Sequence, residues 1–380
     1  MISCGEASGD LYAGALVRAI RERDPGATVF GFGGNALERS GAELVGDYHG
    51  LSVTGLVEVV RLLPRTYAMY RRLVAEARAR RPDVFVAVDF PDFNFRLGTA
   101  LHALGIPVVY YISPQLWAWR PGRLRTMKRF VHEVLVIFPF EEEIYRHAGI
   151  PVRFVGHPLV ELIEPQPSRQ EFLGSLGLRP EAPTIAMLPG SRPNELRLIL
   201  PTMVEGAHRL AGEVDGAQFV IARAPGLGAS LFEPFEQARG AGLRVVTVEH
   251  RTDAVLAAAD VVMTASGTAT IQTALHERPM VIVYRLAPLT YRLGIRFVRV
   301  TTYGMVNLVA GRRVAPELIQ DGFTPEALAR ETRRLLEEPA LIASTLESLR
   351  DVKRRLGGPG ASGRAADRVL AVARRQPGRN

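Results

Sequence analysis

Three times in this chain an apolar, strand-like run ends in a glycine-containing turn and passes at once into helical spacing: at Gly5–Asp10, at Gly190–Glu195 and at Ser266–Thr270. A strand that hands over to a helix through a tight turn is the repeating unit of a parallel sheet with crossover helices, so this succession constrains the fold more than any other feature. Strand-like runs at Ala27–Phe32, Val84–Asp89, Ile106–Ile112, Val134–Phe138 and Val152–Val155 alternate with amphipathic helical runs. A second series follows at Thr184–Leu188, Gln218–Ala222, Arg244–Val248, Val261–Thr264 and Pro279–Tyr284, and after Thr324 the chain reads as helices to its end. Between the two series, Gly156-His157-Pro158 and the Pro- and Glu-containing stretch Val160–Pro167 interrupt the pattern. With 380 residues there is enough chain for two ordinary domains with full cores. The expected fold is therefore α/β, with two Rossmann-like domains facing a cleft, 1–158 and 159–345. C-terminal helices over 346–380 are placed to pack back on the first domain.

Composition narrows the function classes. A hydrophobic share of 47% with 23% charged residues belongs to a globular chain. No apolar run reaches the roughly 18 residues that span a bilayer. The first residues show no charged leader followed by an apolar stretch, so nothing in them marks the chain for export. The one cysteine, Cys4, excludes an intramolecular disulfide and a thiolate zinc cluster, and suits a reducing compartment. The eight histidines show no metal-ligand spacing, and His157 reads as a turn residue. Basic residues outnumber acidic ones by 47 to 39, nearly all of them arginine, for a net charge of +8. Such a balance suits anionic lipid or phosphorylated substrates. Nucleic acid is disfavoured, because no helix-turn-helix, RNP-like or zinc-finger pattern is present.

The turns differ in chemistry. At the end of a parallel strand, backbone N–H groups and the helix dipole point into the ligand crevice of an open sheet. Glu6 and Asp10 make the first turn unlike a phosphate cradle, since two carboxylates repel a diphosphate. A sugar hydroxyl or a proton-transfer role fits better, with Gly5, Ser8 and Gly9 as further substrate contacts. The segment Asp83–Asn94 is a buried strand ending in Asp89, with Pro91 stopping the ladder. Beside Phe90 and Phe93 the Asp89 carboxyl is expected to be partly desolvated, which raises its pKa toward that of a useful general base. The competing reading is a helix-capping carboxylate, a role that Asp92 or Asn94 also fits. A metal held by Asp89 and Asp92 lacks a nearby His or third carboxylate.

In the second half, Gly190 lets the backbone approach a ligand, Ser191 suits a helix cap and Arg192 offers a fork of donors for phosphate oxygens. Glu195 fits a capping box with Ser191 or Arg192. Farther on, Ser266, Gly267 and Thr268 leave room for a diphosphate at the positive end of a helix dipole. Two such turns in one domain point to a nucleotide-diphosphate site; the alternative is tight packing alone. Leu51–Leu73 interleaves large apolar residues with Arg61, Arg65, Arg71 and Arg72, and Pro64 is expected to break its helix. It reads either as a helix lying in a membrane interface or as a buried helix with arginines outside. Ser113–Arg120 holds both tryptophans, Trp117 and Trp119, as a binding wall or as packing.

These segments, in this order, resemble the lipid-A-disaccharide synthases, inverting glycosyltransferases of the two-Rossmann GT-B type. The matching stretches are Gly5–Asp10, Asp83–Asn94, Ser113–Arg120, Phe138–Glu141, Phe154–Pro158, Leu188–Arg192, Ser266–Thr270 and Asn307–Gln320. The resemblance implies a reaction in which UDP-2,3-diacylglucosamine and 2,3-diacylglucosamine 1-phosphate give the β-1,6-linked disaccharide phosphate and UDP. It implies UDP on the C-terminal domain against Gly190, Ser191, Arg192 and Ser266–Thr268, with the acceptor sugar and the membrane on the N-terminal one. Asp89 becomes the base on the acceptor 6-hydroxyl, Glu6 a second catalytic carboxylate, and Asn307 a polar contact across the cleft. No metal or other cofactor is called for, since helix dipoles and Arg192 take that role.

Three departures from the family pattern stand out. Family members have a longer first strand before Gly5. Met305-Val306-Asn307 stands where they carry Leu-Pro-Asn, and Gln272 replaces a carboxylate that in GT-B enzymes often holds the ribose. The expected partners are the two acylated sugars and a membrane surface met through Leu56–Tyr70, with a homodimer left open. The expected location is the cytoplasm, at the inner membrane periphery. Two alternatives remain at this point: a UDP-sugar 2-epimerase-like enzyme on the same fold, and a non-catalytic peripheral membrane protein that binds acylated sugars.

Overall fold

The computed structural model describes residues 1–48, 56–116, 122–224, 226–287, 291 and 302–375, with the backbone alone over 56–62. It comprises two compact units, Met1–Leu162 with Leu356–Asn380, and Ile163–Arg355. In the first unit the strands are β1 (Ile2–Cys4), β2 (Phe30–Gly33), β3 (Glu43–Asp47), β4 (Phe85–Val88), β5 (Val108–Tyr111), β6 (Glu133–Val136) and β7 (Val152–Phe154). They form one parallel sheet in the order β3-β2-β1-β4-β5-β6-β7. Every residue of β4, β5 and β6 is buried, as expected for strands covered by helices on both faces. Helices α1 (Ala7–Arg23), α2 (Asn35–Arg39), α3 (Leu56–Arg80) and α4 (Pro91–Ala103) belong to this unit. So does the last helix, Ala361–Ala373, which packs on α1 and ties to it through an Arg23–Asp367 ion pair at 2.6 Å.

The second unit repeats the plan. Its strands are β8 (Thr184–Leu188), β9 (Gln218–Arg223), β10 (Val245–Glu249), β11 (Val261–Ala265), β12 (Met280–Tyr284) and β13 (Glu317–Ile319). They run parallel in the order β10-β9-β8-β11-β12-β13. Helix α5 (Pro193–Glu213) buries Leu196, Ile199, Leu200 and Met203 at helical spacing against Phe219, Ile221 and Met263. Each such side chain contributes about 1.5–3 kcal/mol by leaving water. Helices α6 (Thr252–Ala258) and α7 (Thr268–Leu275) follow β10 and β11.

Three details differ from the sequence reading. β3 and β13 were not expected; both are short edge strands with acidic residues, which blunts the apolar signal. Pro64 does not break α3, which runs through it for 25 residues. The lost hydrogen bond falls at an exposed position, while Leu73 and Ala77, farther along, are anchored in the core. Residue 346 lies inside the unbroken helix Pro339–Arg355, all of which belongs to the second unit.

Candidate active site

In the first sheet the strand order reverses between β1 and β4, the place where open α/β sheets take ligands. Cys4 pairs with Val88, so Gly5 and Asp89 emerge side by side at the carboxyl edge. The backbone then does something rare. Asp89 and Phe90, neither of them glycine, are both left-handed, with φ of 44° and 49°. Such a conformation costs about 1–2 kcal/mol per residue, and it persists where surroundings over-determine it.

Those surroundings are specific. The Asn94 Nδ2 group donates to the carbonyls of Ser3 at 3.2 Å, Val88 at 3.2 Å and Asp89 at 2.9 Å, stitching the ends of β1 and β4 together. The Tyr110 hydroxyl donates to the Asp89 carbonyl at 2.7 Å, and the Asp89 N–H donates to Ile112 at 3.2 Å. The Phe90 ring covers Gly5 so closely that a Cβ there would run into it. Phe90 also stacks on Phe93 with ring centroids 5.2 Å apart. The half-buried Asp89 side chain is thus carried on a rigid, strained turn.

Several sequence expectations change at this turn. Neither Asp92 nor Asn94 caps α4: its cap position is Phe90, with no side-chain hydrogen bond and Pro91 next. Asp92 instead pairs with Arg123. Asp10 is not available to substrate. It is buried, and its carboxylate accepts from the N–H groups of Gly34 at 2.7 Å, Ala36 at 2.8 Å and Leu37 at 3.1 Å, holding the start of α2. Gly9 is buried against Cys4 and Val88, where it serves the packing of α1 on the strand ends. Glu6 and Ser8 are half-buried, and Glu6 stands at the cap position of α1 without capping it. Burial first, then Asp10, Cys4, Asp47 and Glu6, push the Tyr48 phenol up to about 12.

In the second sheet the order reverses between β8 and β11, and Leu188 pairs with Thr264. Pro189-Gly190 and Ala265-Ser266 therefore leave adjacent strands together. Gly190 has φ of 118°, and Gly267, the cap residue of α7, has φ of 147°; both lie in the region that favours glycine. No side chain caps α5 or α7, so the first-turn N–H groups of each keep their outward positive potential.

Ser191 was expected to cap α5; Arg192 occupies that position instead, in extended conformation ahead of Pro193. Glu195 reaches back to the Ser191 N–H at 3.4 Å and to Arg192 Nη1 at 3.2 Å, which orients the guanidinium. The Ser266 hydroxyl donates to the Tyr303 carbonyl at 2.9 Å and its N–H to Val283 at 3.0 Å, so Ser266 shapes the turn, leaving Gly267 and Thr268 at its exposed tip.

Asn307 is also reassigned. Only 1% exposed, it donates to Ala315 at 2.9 Å and Glu317 Oε1 at 2.7 Å and accepts from the N–H groups of Val314 and Ala315. Its amide is used up inside the fold. Gln272 Nε2 donates to Asp253 Oδ1 at 2.8 Å, as does His276 Nε2 at 2.7 Å. Burial pushes the Asp253 carboxyl up, but the bonds from His276 and Gln272 outweigh it and hold the group below the usual carboxylate range. No local pattern singled out Asp253; the missing carboxylate at position 272 was its only signal. His157 is a buried, neutral turn residue: desolvation holds its imidazole down at about 3, and Nδ1 accepts from the Leu159 N–H at 3.2 Å. On α3, Leu63 and Tyr67 are 51% and 60% exposed, unusual for large apolar side chains. Trp117, Trp119, Arg120 and residues 51–55 lie outside the described residues, as do the side chains of 56–62.

Comparison with known proteins gives this geometry a family. The sequence profile described as lipid-A-disaccharide synthetase matches residues 1–356. A lipid-A-disaccharide synthase of Myxococcus xanthus is 45% identical over 98% of this chain and 97% of its own, and one of Koribacter versatilis is 42% identical over 99% of each. Among solved structures, UDP-GlcNAc 2-epimerase from Neisseria meningitidis has a TM-score of 0.69 at 13% identity, covering 97% of this chain and 99% of that one. The glycotransferase of kitacinnamycin has a TM-score of 0.64 at 20% identity, covering 98% of each. Likeness to the epimerase is thus one of fold alone, and the epimerase alternative is not favoured. The chain belongs to the lipid-A-disaccharide synthase family, glycosyltransferases of GT-B fold that form the lipid A disaccharide.

Proposed function

We propose that this chain joins UDP-2,3-diacylglucosamine to 2,3-diacylglucosamine 1-phosphate, with the first turn acting on the acceptor and the second holding the donor nucleotide. Asp89 accepts the proton of the acceptor 6-hydroxyl as that oxygen bonds to the donor's anomeric carbon. The bond from that carbon to the diphosphate breaks on the opposite face, and UDP leaves with the electron pair. Direct displacement inverts the anomeric centre and gives the β-1,6 linkage. The observation that carries this reading is the left-handed Asp89–Phe90 pair at the strand-order reversal, two consecutive strained residues that carry the carboxylate the chemistry needs. Glu6 and Ser8, both half-buried, meet sugar hydroxyls beside carboxylates that suit a hydroxyl and oppose a phosphate, while Gly5 lies beneath the Phe90 ring.

For the donor, Arg192 and the amides of Gly190, Gly267 and Thr268 meet the diphosphate and stabilise the charge that grows on it, with Ser191 beside them in the same turn. The exposed Leu63 and Tyr67, flanked by Arg65, Arg71 and Arg72, support a peripheral membrane contact through α3 on the cytoplasmic side of the inner membrane. That placement would keep the acyl chains of both sugars near lipid. The test is to supply purified protein with both acylated sugars and follow UDP and disaccharide together. Equal amounts of the two are expected; UDP without disaccharide overturns the reading in favour of donor cleavage without transfer to the acceptor, and release of neither leaves a non-catalytic acyl-sugar binder.

A further inference from the structure

We propose that Asp253, held by Gln272 and His276, is the carboxylate that reads the ribose hydroxyls of the donor nucleotide, a task it shares with the Gln272 carbonyl. The inference rests on the reading of the Gly267–Thr268 turn as a diphosphate site. The family resemblance implies a carboxylate at position 272, and here a neutral amide stands there. The amide is not idle. Its Nε2 donates to Asp253 Oδ1, which also receives the His276 ring N–H, so both donors converge on one oxygen. Oδ2 has no hydrogen-bond partner among the described residues, nor has Gln272 Oε1. The Asp253 side chain is 29% exposed while that of His276 is only 9% exposed, so the open side of the carboxylate faces solvent and the tether lies beneath it.

Two acceptors on neighbouring side chains suit two vicinal hydroxyls. The carboxylate oxygen left open to solvent is a charged acceptor, and a ligand hydroxyl that takes the place of water there makes a charge-assisted hydrogen bond. Position agrees with chemistry. Gln272 follows Thr268 by four residues on α7, about one helical turn or ~6 Å along the axis. In a nucleoside diphosphate the ribose hangs from the α-phosphate through its 5′ methylene. With the diphosphate at the start of α7, the sugar hydroxyls come level with the next turn. The carboxylate lost from α7 is thereby resupplied from α6, and the amide at 272 has become its positioning residue.

The experiment compares UDP with 2′,3′-dideoxy-UDP by calorimetry on the full chain, as wild type, Asp253→Ala and Asp253→Asn. Wild type is expected to bind UDP about 10- to 100-fold more tightly than the dideoxy compound, the range for a hydrogen bond to a charged group. In Asp253→Ala the two affinities should converge, and Asp253→Asn should retain only a several-fold preference. This ratio is insensitive to a general loss of folded protein. Should Asp253→Ala fail to fold, the wild-type ratio and Asp253→Asn still decide. Equal binding of the two nucleotides by wild type, or an undiminished ratio in either variant, overturns the role of Asp253 while leaving the diphosphate site standing. Failure of wild type to bind UDP at all overturns the donor-site reading instead.

Discussion

At the strand-order reversal of the first sheet the backbone turns left-handed on Asp89 and Phe90; at the corresponding place in the second it does so on Gly190, and the cap of α7 is Gly267. The topology is the same and the construction is opposite. The first turn is braced: Asn94 grips three carbonyls, Tyr110 a fourth contact, and Phe90 lies over Gly5. The second is open, with glycines, uncapped helix starts and a guanidinium steered by Glu195. A proton acceptor must sit at one angle to one hydroxyl, and rigidity serves that. A diphosphate is met by many donors at once, and bare backbone serves that. On the proposed reading, one fold hosts both partners of a transfer by changing what fills the same corner of each sheet.

The comparison can be broken or sharpened in order of expected effect. Asp89→Asn should lower disaccharide formation by roughly 100- to 10,000-fold while UDP binding stays near wild type; intact turnover removes Asp89 from the chemistry. Arg192→Ala should cost on the order of 100- to 1,000-fold in turnover and weaken UDP in calorimetry, with Arg192→Lys restoring only part. An effect on turnover with unchanged UDP affinity would break the division of labour between the turns. Asn94→Ala should destabilise the chain by about 1–3 kcal/mol in denaturant titration and slow turnover beyond what lost folded protein explains, because Asp89 loses its brace. Gly267→Ala, in open space but at a φ closed to other residues, should cost about 1–3 kcal/mol of local strain, read as weaker UDP binding with normal acceptor binding.

Much of this was legible beforehand. Strand, glycine and helix spacing located both turns, because a short, near-continuous apolar run gives way to helical spacing across each. What escaped depended on burial. Asp10, Asn94 and Asn307 are polar residues beside turns, and only the folded chain reveals that their side chains face inward onto backbone groups. Asn94 was weighed as a cap because capping is a local rule; its bond to Ser3 reaches back 91 positions. Asp253 gave no local sign, since its meaning comes from a contact with Gln272 nineteen positions away. β3 and β13 escaped for a simpler reason: short edge strands carry too few apolar residues to show alternation.

The last helix has a consequence for how the chain is made. Ala361–Ala373 covers α1, yet close to two hundred residues of the other unit separate it from Leu162, where the first unit leaves off. At ribosomal speeds of 5–20 residues per second, the nascent first unit waits roughly 10–40 s with the outer face of α1 uncovered. During that interval the face of α1 that the last helix covers is open to chaperones and to other nascent chains. A ribosome that stops short of Ala361 releases a protein with both turns present and the helix beneath Glu6 unsupported.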